Sequence, residues 1–245
     1  MIMICGAVKD FQTSSLDTDK NLHYYSVKTY FKDEPRTKNR YFKTAKSSLK
    51  QQKIFDLCLS ILEGITKHHS KLIKLMDVGC GTGNFTLELE KKFPQFKQIV
   101  GVDFLKEIVD AAQEKVKQNQ KISFIQADLL NIPFDDKTFD VTICIDVLHH
   151  IHSEDFKCAI EELMRVTDKF LIVEIRNKKN IFNFWYHHII QPFFYRDLPI
   201  HATSMDEVNH IAKECHFQLY LARRIASSRF SCRRLVLAYE RIDEA

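Results

Sequence analysis

The 245-residue chain has the length and composition of one medium-sized globular domain, with 45% hydrophobic and 28% charged residues. It contains no apolar stretch near the roughly 20 residues that span a membrane. Its seven cysteines form no C-x-x-C pair, a pattern that favours reduced thiols over a zinc or disulfide framework. The net charge of +4 is uneven, because residues 1–74 carry 14 Lys and Arg against 7 Asp and Glu, whereas residues 75–169 carry 11 against 17.

The N-terminal part, residues 1–65, is predicted to be an extension ending in a helix. Apolar residues recur at helical spacing from Leu49 to Leu62, and Gly64 is expected to end that helix. The basic residues between 28 and 50 favour either an anionic partner, such as RNA or a phospholipid surface, or a solvated face. Both interpretations stay open.

The most informative segment is Leu-Met-Asp-Val-Gly-Cys-Gly-Thr-Gly-Asn-Phe-Thr, residues 75–86. An apolar run over 72–77 predicts a buried strand, glycines follow at 79, 81 and 83, and the apolar pattern of 84–92 predicts a helix. A strand, a glycine loop and a helix N-terminus form a nucleotide-binding unit, because the loop amides can approach a ligand closely.

The glycine spacing distinguishes two cofactor classes. A dinucleotide site has G-x-G-x-x-G, whereas this loop has G-x-G-x-G with Asp77 two residues before it. A carboxylate there would repel a pyrophosphate but suits the positively charged amino-acid end of S-adenosylmethionine. Asp103, which ends the next apolar run, can accept hydrogen bonds from both ribose hydroxyls.

The remaining pattern alternates strands and helices, which predicts an α/β fold with a mostly parallel sheet covered on both faces. The later predicted strands are 98–103, 121–126, 139–145, 169–175, 216–223 and 231–239. The later predicted helices are 105–118, 154–166 and 204–215. A short loop near Ala226 suggests that the last two strands form an antiparallel hairpin at the sheet edge.

These motifs resemble the class I S-adenosylmethionine-dependent methyltransferases, in particular their small-molecule and quinone-type branch. The resemblance rests on the glycine loop, Asp103 and the run from Phe139 to Ile151, and it covers about residues 70–176. It implies a Rossmann-like, doubly wound, seven-stranded sheet with an antiparallel C-terminal edge hairpin, in a methyltransferase domain over 66–245. The cofactor it implies is S-adenosylmethionine, with S-adenosylhomocysteine (SAH) as product.

The resemblance also implies cofactor contacts. Asp128 would accept the adenine amino group, Leu129 and Phe104 would flank the base, and Asp146 with Val147 would lie near the methionine end. Asp128 capping a turn is the alternative. The complete predicted cofactor-binding set is Asp77, Gly79, Cys80, Gly81, Gly83, Asn84, Asp103, Phe104, Asp128, Leu129, Asp146 and Val147.

His149 and His150 are the candidate catalytic residues, because imidazole titrates near neutrality and can take a proton from the methyl acceptor. Packing or capping before the next helix is the alternative role. No carboxylate or cysteine set close in the sequence completes a metal site with His149, His150 and His152, so no metal is predicted.

The acceptor side is assigned to an aromatic insertion, residues 177–201, in which seven of 25 residues are aromatic. Such an insertion suits a flat or lipid-like acceptor, while a satellite core or a dimer interface is the alternative. In this superfamily the N-terminal segment often covers the site as a lid. The candidate substrate-binding residues are Tyr24, Tyr25, Arg176, Trp185, Tyr186 and Tyr195.

The expected function is therefore transfer of a methyl group to an oxygen, nitrogen or carbon of a small-molecule or lipid-like acceptor, in a cytoplasmic enzyme. An RNA methyltransferase that uses the basic N-terminal region is the weaker variant, so nucleic acid is the lesser partner class. A non-catalytic cofactor-binding scaffold is the second class of function. A nicotinamide-linked oxidoreductase is third, because the glycine spacing disfavours it. Fold alone names no acceptor.

Overall fold

The computed structural model describes residues 49–178, 201–225 and 234–242. The helices within these ranges are α1 (Leu49–His68), α2 (Asn84–Lys92), α3 (Lys106–Glu114), α4 (Phe156–Val166) and α5 (Met205–Glu214). The strands are β1 (Lys74–Val78), β2 (Gln98–Asp103), β3 (Ile122–Gln126), β4 (Phe139–Cys144), β5 (Thr167–Arg176), β6 (Phe217–Ile225) and β7 (Arg234–Arg241). A 3-10 turn, Leu148–His150, follows β4. Of the helices in the described ranges, none combines the length and the apolarity needed to cross a bilayer.

The seven described strands form one sheet in the order β3-β2-β1-β4-β5-β7-β6. Strands β1 to β5 pair in parallel, and β7 pairs antiparallel with both β5 and β6. The Rossmann-like sheet with an antiparallel edge hairpin is thus confirmed. The turn of the hairpin, around residues 226–233, lies outside the described ranges.

Both faces of the sheet are buried, which is why its strands read as nearly continuous apolar runs. In β1, Leu75 packs into one cluster with α1 and α2, while Met76 packs into a second cluster with α4 and α5. Neighbouring side chains on a strand point to opposite faces, so adjacent apolar residues serve two separate cores.

The sequence pattern predicted that helix α1 ends at Gly64. This prediction is wrong, because the helix continues to His68. Ile65 is fully buried, and its packing offsets the roughly 1 kcal/mol that a glycine costs inside a helix. Ile54 and Leu62 belong to the same buried cluster as Leu75 of β1. Helix α1 thus packs on the sheet and extends three residues beyond the predicted boundary after residue 65.

The other helices match their predicted positions closely, and α2 has the predicted bounds. Helix α3 ends four residues earlier than predicted. The chain after Glu114 continues in tighter turns, in which Val116 N–H donates to the carbonyl of Gln113 and Asn119 N–H to that of Val116. Lys115, the first residue after this helix, lies close to the glycine loop.

Candidate functional site

The glycine loop between β1 and α2 lies at the carboxyl edge of the parallel strands. Gly79, Gly81 and Gly83 have φ values of 73°, 53° and 75°, a region that L residues with side chains seldom adopt. A Cβ at Gly79 would collide with the side chain of Val147, and one at Gly83 would collide with Phe124. The loop is therefore packed tightly between the end of β4 and strand β3.

Asp103, at the end of β2, supports this loop directly. Its Oδ2 accepts from Gly81 N–H at 3.0 Å, and its Oδ1 accepts from Leu105 N–H at 3.1 Å. The carbonyl of Val102 accepts from Gly79 and Cys80 N–H at 2.7 and 3.0 Å. Burial raises the pKa of Asp103, while the hydrogen bonds from the N–H groups of Leu105 and Gly81 lower it. The carboxylate predicted to bind a ribose thus already orders the loop.

Asp77 lies under the loop and is 3% exposed. Its Oδ2 accepts a hydrogen bond from Thr86 Oγ1 at 2.6 Å. Burial raises the pKa of Asp77 to about 7; the hydroxyl of Thr86 lowers it and the nearby Asp103 raises it further. The Cys80 thiol is buried beside these carboxylates, and burial raises its pKa as well.

Lys115 is a residue of this site that the sequence pattern did not single out. Its Nζ donates to the carbonyl of Thr82 at 2.6 Å and to Asn84 Oδ1 at 2.9 Å. It therefore joins the end of α3 to the glycine loop and to the first turn of α2. A lysine after a helix is common in any sequence, so only the fold could reveal this contact.

On the adenine side, Asp128 Oδ1 accepts from Leu130 N–H at 3.0 Å, which is the turn-capping role that the sequence left as an alternative. Leu129 is buried in the cluster beneath the sheet, and Phe104 is partly exposed after β2. Their contact with an adenine stays a prediction.

Asp146, after β4, lies in a group of charged side chains. Its φ is 62°, and its Oδ1 lies 2.9 Å from Arg234 Nη2 and 3.7 Å from Arg176 Nη2. Its N–H donates to Oε2 of the fully buried Glu174 at 3.2 Å. Arg234 begins β7 and was not among the predicted site residues, because 88 residues separate it from Asp146 (234 minus 146).

His149 is buried and His150 is half-buried. His149 is 4% exposed, and its Nε2 lies 3.2 Å from Arg176 Nη2. Since a guanidinium can only donate, His149 Nε2 is the acceptor and the proton is on Nδ1. Burial lowers the pKa of His149 well below its usual value and that of His150 to about 4, despite the opposing effect of Asp146 on His150. Both imidazoles are therefore neutral near pH 7.

Among the described residues, Asp146, His149 and Glu174 each offer one potential ligand atom within 4.8 Å of the others. The fold thus adds to Asp146 and His149 a carboxylate, Glu174, that is distant from them in sequence. The guanidinium groups of Arg176 and Arg234 approach the same Asp146 oxygen, and their positive charge opposes a divalent cation there. The expectation of no metal stays a prediction.

The two described ends of the aromatic insertion meet beside this group. Lys178 N–H donates to the Thr203 carbonyl at 2.8 Å, and Thr203 N–H donates to the Arg176 carbonyl at 2.9 Å. His201 N–H donates to the His149 carbonyl at 2.8 Å. The insertion therefore starts and ends at the carboxyl edge of the sheet. The remaining candidate substrate residues lie outside the described ranges; they are Tyr24, Tyr25, Trp185, Tyr186 and Tyr195.

Known proteins that resemble this chain in sequence or in fold include several methyltransferases. A family model described as "Methyltransferase domain" matches residues 75–169. Residues 75–169 are similar to a methyltransferase domain. The match begins in β1 and ends in β5, so the matched segment contains the glycine loop, Asp103, Asp128 and both histidines.

Relatives of the methyltransferase domain include the demethylmenaquinone methyltransferase of Porphyromonas gingivalis, 30% identical over 128 residues, which are 47% of this chain and 51% of that protein. An uncharacterized methyltransferase of Schizosaccharomyces pombe is 32% identical over 109 residues, 41% of this chain and 38% of that protein. The likeness lies in the quinone-type branch of the class, as the motifs predicted. The chain spans about half or less of the length of these curated relatives.

Solved structures share the fold of the methyltransferase domain. The magnesium protoporphyrin IX methyltransferase of Synechocystis, solved with bound SAH, has a TM-score of 0.68 at 19% identity, with 89% of this chain and 100% of that chain covered. A Pyrococcus horikoshii protein has a TM-score of 0.62 at 20% identity, with 83% and 98% covered. At these identities, the likeness is one of fold.

Proposed function

We propose that this chain is an S-adenosylmethionine-dependent methyltransferase that transfers a methyl group to an oxygen, nitrogen or carbon of a small-molecule or lipid-like acceptor. The observation that carries the proposal is the contact between Asp103 and Gly81 N–H. It closes a loop of left-handed glycines at the carboxyl edge of β1 and β2, where ligands bind in open parallel sheets.

In this proposal different described residues bind different parts of the cofactor. Asp103 accepts the ribose hydroxyls, and Asp128 accepts the adenine amino group between Leu129 and Phe104. The methionine end lies at the other side of the loop, near Asp77, Asp146 and Val147. Support comes from the packing of Val147 over Gly79, which brings the end of β4 to the start of the loop.

When bound, the sulfonium would supply an activated methyl group and a good leaving group. The protein then has to align the acceptor nucleophile with the methyl carbon and, where that nucleophile carries a proton, to accept it. His150 is the better candidate base of the two histidines, because Arg176 already uses the Nε2 lone pair of His149. Its low pKa restricts it to acceptors that are themselves acidic.

For the acceptor we propose a planar molecule of the quinone or porphyrin kind, bound under the aromatic insertion. The demethylmenaquinone methyltransferase relative and the magnesium protoporphyrin IX methyltransferase structure support this class. The attachment of the insertion at Arg176 and Thr203, beside the histidines, supports it from geometry. Arg176 would orient a polar substituent of the acceptor.

The domain organisation belongs to the same proposal: an N-terminal extension over 1–65, of which α1 packs on the sheet and the part before α1 would form the lid, and a methyltransferase domain over 66–245. In support of a cytoplasmic location, the described cysteines are free thiols, and Cys58, Cys80 and Cys144 are buried.

The decisive experiment is calorimetric titration of the purified protein with S-adenosylmethionine, SAH and NAD. The proposal expects dissociation constants in the micromolar range for the first two, about −8 kcal/mol, and no heat from NAD. Binding of NAD alone would indicate an oxidoreductase. Absence of binding for both adenosyl ligands would contradict the cofactor assignment.

Once cofactor binding is established, labelled methyl transfer to quinones, porphyrins and RNA tests the acceptor class. Trp185→Ala and Tyr186→Ala are expected to reduce turnover of a planar acceptor while leaving SAH affinity unchanged. Loss of both would indicate a folding defect. Methylation of RNA alone would favour the basic N-terminal region as the acceptor site, and cofactor binding without any transfer would favour a scaffold.

A further inference from the structure

Glu174 is a fully buried carboxylate at the end of β5 that is not among the predicted site residues. Its Oε2 accepts from Asp146 N–H at 3.2 Å, and its Oε1 lies 3.4 Å from Arg234 Nε. Such a charge is costly to bury unless it is paired. The buried charge of Glu174 is therefore stabilised by two partners, Asp146 N–H after β4 and Arg234 at the start of β7.

Arg234 links the two acidic residues through one side chain. While Nε faces Glu174, Nη2 lies 2.9 Å from Asp146 Oδ1. Arg234 can reach this point because β7 runs antiparallel to β5, so that its first residue pairs with Arg176 at the carboxyl edge. The planar guanidinium suits two carboxylates at once, which a lysine ammonium does not.

The residue that these contacts hold has an unusual backbone conformation. Asp146 has a φ of 62°, in the left-handed region, where a residue with a side chain persists only when its surroundings constrain it. The carboxylate of Glu174 fixes its N–H, and Arg234 fixes its side chain. Together they set the direction in which the chain leaves β4.

That direction determines where Val147 lies. The side chain of Val147 occupies the space that a Cβ on Gly79 would need. A continuous set of contacts thus runs from Arg234 through Glu174 and Asp146 to Val147 and the first glycine of the loop. The C-terminal hairpin is in this way connected to the methionine side of the proposed cofactor site.

We propose that Arg234 and Glu174 are positioning residues that hold Asp146 and Val147 in place for the amino-acid end of S-adenosylmethionine. The inference rests on the proposed function. It assigns to the C-terminal hairpin a part in cofactor recognition, although Arg234 lies outside the matched family region, residues 75–169. Asp103 and Asp128, on the adenosine side, have their own backbone partners and do not depend on Arg234.

The test compares SAH with 5′-methylthioadenosine, which has the same adenosine part but lacks the amino-acid end. Calorimetry on the full chain gives the ratio of the two dissociation constants. Arg234→Met is expected to weaken SAH binding about tenfold or more and to leave methylthioadenosine binding unchanged. Arg234→Lys should lie between wild type and Arg234→Met. The exposed Arg223, on β6, provides the matched control, and Arg223→Met should leave both affinities unchanged.

A second variant guards the test against misfolding, because Arg234→Met takes from the buried Glu174 the guanidinium that lies 3.4 Å from its Oε1. The double variant Arg234→Met with Glu174→Gln removes both charges, and Gln can still accept from Asp146 N–H. It is expected to melt near the wild-type temperature and to keep the reduced SAH preference. Equal weakening of both ligands, or an unchanged ratio in the double variant, would overturn the inference. If wild type binds neither ligand, the proposed function fails and this inference with it.

Discussion

Thr86 donates a hydrogen bond of 2.6 Å to Asp77, and this bond ties the first turn of α2 to the end of β1. Both side chains are buried. The bond places a carboxylate of pKa about 7 directly beneath the glycine loop, so its charge changes within the physiological pH range.

The first prediction concerns the pH dependence of cofactor affinity. A bound ammonium or sulfonium favours ionised Asp77, so binding below pH 7 has to release a proton. We expect the affinity for S-adenosylmethionine to rise from pH 6 to pH 7 and to level off above pH 8, measured by calorimetry in buffers of different ionisation enthalpy. Asp77→Asn should remove this dependence, and a wild-type affinity independent of pH would contradict the assignment.

The same group has a predicted effect on stability, with a defined sign. The pKa of Asp77 is raised in the folded protein, so the native state binds more protons than the unfolded chain between about pH 4 and 7. The contribution of Asp77 to the free energy of unfolding therefore falls as pH rises through that window. Asp77→Asn keeps an acceptor for Thr86 and should increase stability at pH 8 by a few kcal/mol, roughly, with little gain at pH 4. Denaturant unfolding at both pH values measures the difference.

Asp103→Ala should weaken S-adenosylmethionine binding at least about tenfold, because it removes both the predicted ribose acceptor and the support of Gly81 N–H. Asp110→Ala is the matched control, since Asp110 lies on the surface of α3 in an ion pair with Lys106. Calorimetry should show unchanged affinity for the control. An unaltered affinity in Asp103→Ala would refute its role.

Lys115→Met should weaken cofactor binding about three- to tenfold without changing which ligand is preferred, because the carbonyl of Thr82 and the side chain of Asn84 lose their common donor. Lys117→Met is a suitable control, because Lys117 is exposed and pairs only with Glu114 among the described residues. Hydrogen exchange at the amides of the loop should increase in Lys115→Met alone. If both variants behave alike, the lysine does not order the loop.

His150 should remain neutral throughout the pH range 5.5 to 8, because burial holds its pKa near 4. Nuclear magnetic resonance of ¹⁵N-labelled imidazoles can test this, with His150→Gln used to assign the signal. The lowered pKa values of His149 and His150 also mean that these two residues bind more protons in the unfolded chain below about pH 6.5. Their contribution to the free energy of unfolding should therefore fall as the pH decreases from there, opposite in sign to that of Asp77. A His150 titration midpoint near 6.5 would contradict its burial.

Much of this protein followed from local sequence. The bounds of α2, the strand positions and the G-x-G-x-G loop with its flanking acids could be predicted because periodicity and backbone preference act over a few residues. The error at Gly64 has the opposite cause, since burial of Ile65 against the sheet prolonged a helix that local propensity would have ended.

The sequence by itself determined the fold class, and it predicted the side of the sheet on which a ligand would bind, because both depend on the order of elements and on where the glycines fall. Only the tertiary structure decided that Lys115 donates to the loop, that Arg176 uses the Nε2 lone pair of His149, and that Arg234 lies between Asp146 and Glu174. These contacts join residues far apart in the chain. They depend on strand order and on side-chain directions that arise when the sheet assembles, and no local pattern records them.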